Sequence, residues 1–245
     1  MPPSMMTLPT SRVELWNVHL GEPAKSAATD ILSADEIVRA NRFHFEKDRM
    51  RFIQCRSALR SLLSRHLPIP PNEIQFQYQA SGKPELEAQQ NPSGLQFNVS
   101  HSADRALIAI GSQHKLGVDI EKIRADVDTT ALAERFFSVR ERAGLRALPA
   151  HLRLAGFFAC WTRKEAFLKA TGDGLFFPLA RFSVTTHPDL HPQLEEIQGN
   201  TDVHQHWFLS DITVAEGYRA TVAVQAPCSG LETHTYVNPD QRAVP

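Results

Sequence analysis

Gly117-Val118-Asp119-Ile120-Glu121-Lys122 is the stretch on which the reading of this chain turns. Its alternation is that of a β-strand, so Val118 and Ile120 face one way and Asp119 and Glu121 the other. Two residues along a strand span about 6.6 Å. Two carboxylates that close repel one another unless a cation or a proton intervenes. A hard divalent ion such as Mg²⁺, shared between carboxylates and phosphate oxygens, would resolve the conflict. A solvated sheet face with Lys122 as counter-charge accounts for the segment equally well when it is read alone.

Downstream, residues 154–169 form an amphipathic helical pattern. Its apolar stripe runs Leu154, Phe158, Trp161 and Leu168, and steps of four and three put Glu165 in the vacant slot. A carboxylate there needs a partner, a metal or a proton, because burying it alone costs several kcal/mol. Lys169, one turn on, can supply the partner within the helix. The helix should reach about Ala170 and stop at Thr171-Gly172-Asp173-Gly174, where glycine takes the left-handed cap.

Upstream, Phe97-Asn98-Val99-Ser100-His101-Ser102 alternates as a strand that puts Asn98 and Ser100 opposite Phe97 and Val99. Amide, hydroxyl and imidazole groups at a strand end suit phosphate oxygens. An ordinary turn histidine fits as well, and no GxSxG elbow marks a serine hydrolase. Ala106 to Ile110 reads as its partner strand, across a turn at Ser102-Ala103-Asp104-Arg105. Between Arg39 and Arg65 six more basic residues stand against Glu46 and Asp48 alone. Arginine forks bind phosphate well, although a solvated helix face explains most of them.

Other elements fill in around these. A strand is expected over residues 13–18, a helix opening on a Ser33–Glu36 capping box, and a longer helix over about 48–66 ended by Pro68 and Pro70. Further strands are expected at 74–78, 116–123, around 207–209 and at 218–224, with a short helix over 129–136. Residues after Pro227 read as a tail. Arg42–Arg49 echoes Arg135–Arg142 in residue type and position among the elements, which points to two related α+β halves.

The whole chain has 245 residues, 22% charged and 42% hydrophobic, with a formal charge of −1. These are globular values, not those of a disordered chain. The balance disfavours a nucleic-acid or membrane-surface binder. No apolar run approaches the ~20 residues of a membrane helix, and MPPSMMTLPT has neither region of a secretory signal. Three distant cysteines, Cys55, Cys160 and Cys228, make a disulfide framework or zinc cage improbable and suit a reducing cytoplasm.

The chain resembles the 4′-phosphopantetheinyl transferase superfamily in its larger, single-chain, pseudo-dimeric (Sfp-type) branch. Its two signatures, (V/I)-D-(I/V)-E and W-x-x-K-E-(A/S)-x-x-K, are complete in Val118–Glu121 and Trp161–Lys169. Phe97–Ser102, Gly82-Lys83-Pro84 and Arg135–Ser138 followed by Glu141 match in order, so the likeness runs over roughly residues 13–225. It implies an α+β fold of two similar halves, residues 1–112 and 113–228, with a 229–245 tail and the metal site in the second half. It implies an enzyme that moves the phosphopantetheine arm of coenzyme A onto a serine of an acyl or peptidyl carrier protein, releasing 3′,5′-ADP.

By the same resemblance Asp119, Glu121 and Glu165 are expected to hold Mg²⁺, with Mn²⁺ as an alternative. Lys169 is expected to steady the leaving phosphate, and Glu141 to act as base for the carrier serine. Arg39, Lys83, Ser100, His101, Asp119 and Lys169 are expected on coenzyme A, Arg39 and Lys83 at its 3′-phosphate. Glu36 departs from the pattern, since some relatives carry a second lysine there. A cytoplasmic monomer that binds neither nucleic acid nor membrane is expected. The rivals are a catalytically silent coenzyme A or carrier-binding module, against which the intact Asp119, Glu121, Glu165 and Lys169 count, and a nucleotide-dependent phosphoryl transferase, disfavoured because no GxxxxGK(S/T) loop is present.

Overall fold

The structure is a computed structural model, and it describes residues 12–21, 29–80, 82–172, 174 and 177–237. The expectations for the first ten residues, Ser81 and Asp173, and for the tail beyond residue 237, lie outside the described residues.

The chain opens with β1 (Arg12–His19), α1 (Ala34–Ala40) and the long α2 (Glu46–Leu63). A small pair, β2 (Phe76–Tyr78) and β3 (Pro84–Leu86), precedes β4 (Leu95–Ser102) and β5 (Arg105–Ser112). The order then repeats in outline. β6 (Leu116–Lys122) is followed by α3 (Thr129–Phe136), α4 (Val139–Ala147) and the long α5 (Ala150–Thr171). A second small pair, β7 (Phe182–Val184) and β8 (Leu194–Ile197), precedes β9 (Trp207–Asp211) and β10 (Tyr218–Gln225). β11 (Gly230–Tyr236) ends the described chain.

Four layers result. The sheet β11-β1-β5-β4 carries α2 on one face, where Ala58, Leu59, Leu62 and Leu63 pack on Val18, Phe97, Ile108 and Ile110. Its other face lies on the sheet β6-β10-β9. Leu15, Leu107 and Ala109 there meet Val118, Ile120 and Val222 in a dry seam. The second sheet carries α5 on its far face through Phe167, Ala170, Leu209 and Ala223. The period-2 alternation of β5 serves both cores at once, with Ile108 and Ile110 facing α2 and Leu107 and Ala109 facing the seam.

The tail expected after residue 229 is corrected by β11, which pairs in parallel with β1 from Arg12↔Gly230 to Val18↔Tyr236. Its composition is polar because it is an edge strand with one row of side chains in water, as in the exposed Arg12–Glu232 ion pair at 2.6 Å.

Candidate active site

β6 runs so close to α5 that a Cβ on Gly117 would stand 2.3 Å from both Ala166 O and Ala170 N. No other residue allows that approach. The next outward-facing positions, Asp119 and Glu121, are thereby laid beside the α5 residues Glu165 and Lys169. The expected alternation holds, with Val118 and Ile120 in the seam core and the two carboxylates on the opposite side.

Lys169 Nζ donates to Asp119 Oδ1 at 2.6 Å and to Ser100 Oγ at 2.9 Å. Ser100 Oγ in turn donates to Asp119 Oδ1 at 2.9 Å. Glu121 Oε2 accepts from Ser102 Oγ at 2.8 Å. Burial pushes the Glu121 carboxyl above its ordinary value, and repulsion from Asp119 adds to this. Burial raises Glu165 too, with repulsion from Asp119 and Glu121 outlasting the pull of Lys169. The three carboxylates thus sense one another across the β6–α5 junction. Lys169 bonds to Asp119 instead of pairing with Glu165 within the helix.

Glu165 sits on the rim of the core, half-buried, and is not the deeply buried carboxylate that the apolar stripe suggests. The fully buried charges of α5 are its neighbours. Arg163 is 0% exposed and binds Asp211 Oδ2 at 2.6 Å, and Lys164 is equally buried.

The residues suit a hard divalent cation. Asp119 Oδ2 is buried and accepts no hydrogen bond, and an orphaned carboxylate oxygen is a costly state that a cation relieves. All three donors are carboxylates, as Mg²⁺ prefers. Among the described residues no three acidic, histidine or cysteine side chains are gathered into a ready cage. That arrangement fits an ion held by one or two carboxylates, with the rest of its shell from substrate and water.

Beside the carboxylates opens a cavity of about 570 Å³ lined by Arg39, Phe43, Arg51, Arg56, Tyr78 and His101, among others. Arg39 and His101, both expected on coenzyme A, line this cavity. Partial burial holds the His101 imidazolium below its ordinary range, and the positive charges of Lys169 and Arg51 lower it further. His101 thus senses both Arg51 of the cavity wall and Lys169 of the cluster.

Arg56 and Arg60 escaped the sequence reading, which took most of this basic run as solvated. Both donate through Nε to the buried Glu36, Arg60 at 2.6 Å. Arg56 Nη2 also donates to Tyr78 Oη at 2.8 Å. Glu36 accepts from Ser33 N at 3.0 Å, as its capping-box place requires. The carboxylate that departs from the family pattern is thus the counter-ion that seats Arg56 in the cavity wall.

Three expected roles are corrected. Lys83 does not reach into the cavity. Its ammonium donates to the backbone carbonyls of Lys169 at 2.6 Å and Leu116 at 3.3 Å, and burial pushes its pKa down to about 8. Lys83 therefore ties the β2–β3 loop to the start of β6 and the end of α5. Ser100 has no hydrogen-bonding capacity left for coenzyme A. Its one proton goes to Asp119, and its oxygen accepts from Lys169 and, at 3.4 Å, from Ile120 N.

Glu141 is at the N3 position of α4, where its carboxylate accepts from Ser138 N at 2.8 Å. It also accepts from Val184 N at 2.9 Å and from Lys164 Nζ at 2.7 and 2.8 Å. Glu141 and Lys164 are both 0% exposed. A carboxylate sealed in this way cannot take a proton from a docked protein, so Glu141 is a structural anchor and not the base.

An α+β fold with acidic residues on one strand and one helix, a basic cavity alongside, and a lysine on the first carboxylate defines an anion-handling enzyme of the phosphoryl-transfer kind. Residues 115–223 match the family model of the 4′-phosphopantetheinyl transferase superfamily. Residues 16–113 match that of the 4′-phosphopantetheinyl transferase N-terminal region. The chain is 44% identical over 177 residues to the 4′-phosphopantetheinyl transferase HetI of Nostoc sp., covering 71% of this chain and 74% of that one. It is 30% identical over 230 residues to a 4′-phosphopantetheinyl transferase of Bacillus subtilis, covering 91% and 98%. To Sfp of Bacillus subtilis it is 28% identical over 219 residues, covering 88% and 93%. The chain belongs to the 4′-phosphopantetheinyl transferase superfamily.

Proposed function

We propose that this chain is a Mg²⁺-dependent 4′-phosphopantetheinyl transferase that moves the phosphopantetheine arm of coenzyme A to a serine of an apo acyl or peptidyl carrier protein. The observation that carries this reading is the junction at His101. There an arginine-lined cavity suited to a nucleotide phosphate has His101 in its wall, within reach of the charge of Lys169, which bonds to Asp119.

The serine oxygen forms a bond to the phosphorus that bears the pantetheine arm. The bond from that phosphorus to the bridging oxygen breaks, 3′,5′-ADP leaves, and the serine proton passes to solvent or a nearby base. Arg39, Arg51 and Arg56 line the cavity that takes the nucleotide end, and paired forks suit phosphate. His101 lines the same cavity and would contact the coenzyme A phosphates. Lys169 lies where it can offset charge growing on the leaving phosphate. Asp119 Oδ2 with Glu121 or Glu165 would hold the divalent ion, which when bound neutralises pyrophosphate charge.

We also propose that residues 1–112 and 113–228 act as two halves with coenzyme A between them, in a chain that works as a cytoplasmic monomer. No helix among the described residues is long and apolar enough to cross a membrane. Incubation with coenzyme A, Mg²⁺ and an apo carrier protein, followed by intact mass, tests the reading. A gain of one phosphopantetheine arm is expected, lost with EDTA. Tight coenzyme A binding without any mass change would instead identify a silent binding module.

A further inference from the structure

β6 is the edge strand of its sheet, so every second amide on its outer side lacks a backbone partner. Val118 N donates to Asn98 Oδ1 at 2.9 Å, Ile120 N to Ser100 Oγ at 3.4 Å and Lys122 N to Ser102 Oγ at 3.1 Å. The offset is twenty residues at each rung. Side chains of β4 thus stand in for the carbonyls that a neighbouring strand would supply, and a three-rung ladder joins the two sheets.

The two serine rungs have a second property. A hydroxyl has one proton. Because each oxygen already accepts from a β6 amide, its proton is directed elsewhere, and it goes to the carboxylate one residue back. Ser100 donates to Asp119 Oδ1 at 2.9 Å, and Ser102 donates to Glu121 Oε2 at 2.8 Å. One oxygen of each carboxylate is thereby fixed. The other oxygen of Asp119 is left buried without a hydrogen bond.

We propose that Ser102, with Ser100 behind it, is a positioning residue for the cation-holding carboxylates. The ladder transmits the register of the first sheet into the orientation of Glu121 and Asp119, so the ion site is assembled by both halves although its ligands come from one. The proposal rests on the reading of Glu121 as a cation ligand, and the controls separate the two.

The test uses Ser102→Ala, Ser102→Thr and Glu121→Gln in the full chain. Mn²⁺ binding is followed by electron paramagnetic resonance, and coenzyme A binding by calorimetry in EDTA. Amide hydrogen exchange is measured at Lys122. Loss of a group that orients a metal ligand typically costs 10–100-fold in metal affinity. Ser102→Ala, at a residue that also lines the cavity, should weaken Mn²⁺ binding about tenfold and speed exchange at Lys122, with a smaller effect on coenzyme A binding in EDTA. Ser102→Thr, which keeps the hydroxyl, should restore both. In turnover the apparent KM for Mg²⁺ should rise while kcat at saturating Mg²⁺ holds.

Faster exchange at Lys122 with unchanged Mn²⁺ affinity would overturn the proposal, because the rung would then be structural glue only. Normal Mn²⁺ binding by Glu121→Gln would overturn the ligand reading itself, and the positioning role with it. Weak binding by Glu121→Gln beside normal binding by Ser102→Ala would overturn the ladder's role alone.

Discussion

Replacing Glu141 by glutamine separates a chemical role from a structural one more sharply than any other single change. The carboxylate takes two backbone amides, Ser138 N and Val184 N, and the ammonium of Lys164, with no solvent exposure. Glutamine keeps the shape but leaves Lys164 buried beside a neutral group and turns an NH₂ toward other donors. Breaking one side of a buried pair costs about 3–5 kcal/mol. For a chain of this size each kcal/mol moves the melting point by roughly 2–4 °C. A fall of roughly 6–20 °C is therefore expected for Glu141→Gln. Glu141→Met with Lys164→Met removes both charges and should recover part of the loss, since apolar replacements of a buried pair are often neutral. The recovery is partial because the amides of Ser138 and Val184 lose their acceptor. The assay is urea unfolding followed by circular dichroism, with turnover per folded molecule at low temperature. Turnover should stay within about tenfold of the parent, short of the 10²–10⁴-fold expected for a lost general base. A Glu141→Gln protein that melts normally, loses at least about a hundredfold in kcat and regains activity at high pH would refute the structural role.

Asp119→Asn keeps the strand and loses one charge of the proposed cation site. A loss of about 2–4 kcal/mol in transition-state stabilisation is expected, and near-normal turnover at saturating Mg²⁺ would count against the assignment. Arg39→Ala should weaken coenzyme A by about 1.5–3 kcal/mol and dephospho-coenzyme A much less. Lys83→Ala should lower stability without that discrimination, and calorimetry with both ligands decides between them. Lys83 also carries a pH signature, because burial puts its folded pKa at about 8 against an ordinary 10.5. Between those values the unfolded chain binds the extra proton, so stability relative to Lys83→Met rises with pH from about 8 upward. Urea midpoints of the two proteins at several pH values check the sign, and a constant difference would show that the ammonium is not desolvated.

The clustering of Asp119, Glu121, Glu165 and Lys169 was legible because it follows local periodicity. Asp119 and Glu121 are separated by one strand period, and Glu165 and Lys169 by one helical turn, so their faces follow from spacing alone. The misassigned residues are those whose direction is decided by a partner far away in sequence. Lys83 turns to a carbonyl 86 residues on, and Glu141 is taken by a lysine 23 residues on. In Thr162-Arg163-Lys164-Glu165 the acceptors of the middle pair, Asp211 and Glu141, are not neighbours in the chain, so spacing alone gives that pair no role. Ser138 and Glu141 carry the same capping-box spacing that was read at Ser33 and Glu36, so α4 was within reach. β11 was not, since Gly230-Leu-Glu-Thr-His-Thr-Tyr has the polar composition of an edge strand.

The parallel docking of β11 on β1 bears on how the chain is made. β1 leaves the ribosome well before β11, and its outer edge waits for Gly230, 218 residues after Arg12. At synthesis rates of about 5–20 residues per second that delay is roughly 10–45 s. Throughout it, an eight-residue strand of β-prone sequence, Arg12–His19, has at least one row of backbone amides and carbonyls unclaimed. Such an edge is a template for pairing with another nascent chain. A transcript that stops shortly before residue 230 would encode the cation-facing residues and the cavity and still release a protein with this edge bare. Its shortfall should appear as insolubility in the cell and not as a weakened active site.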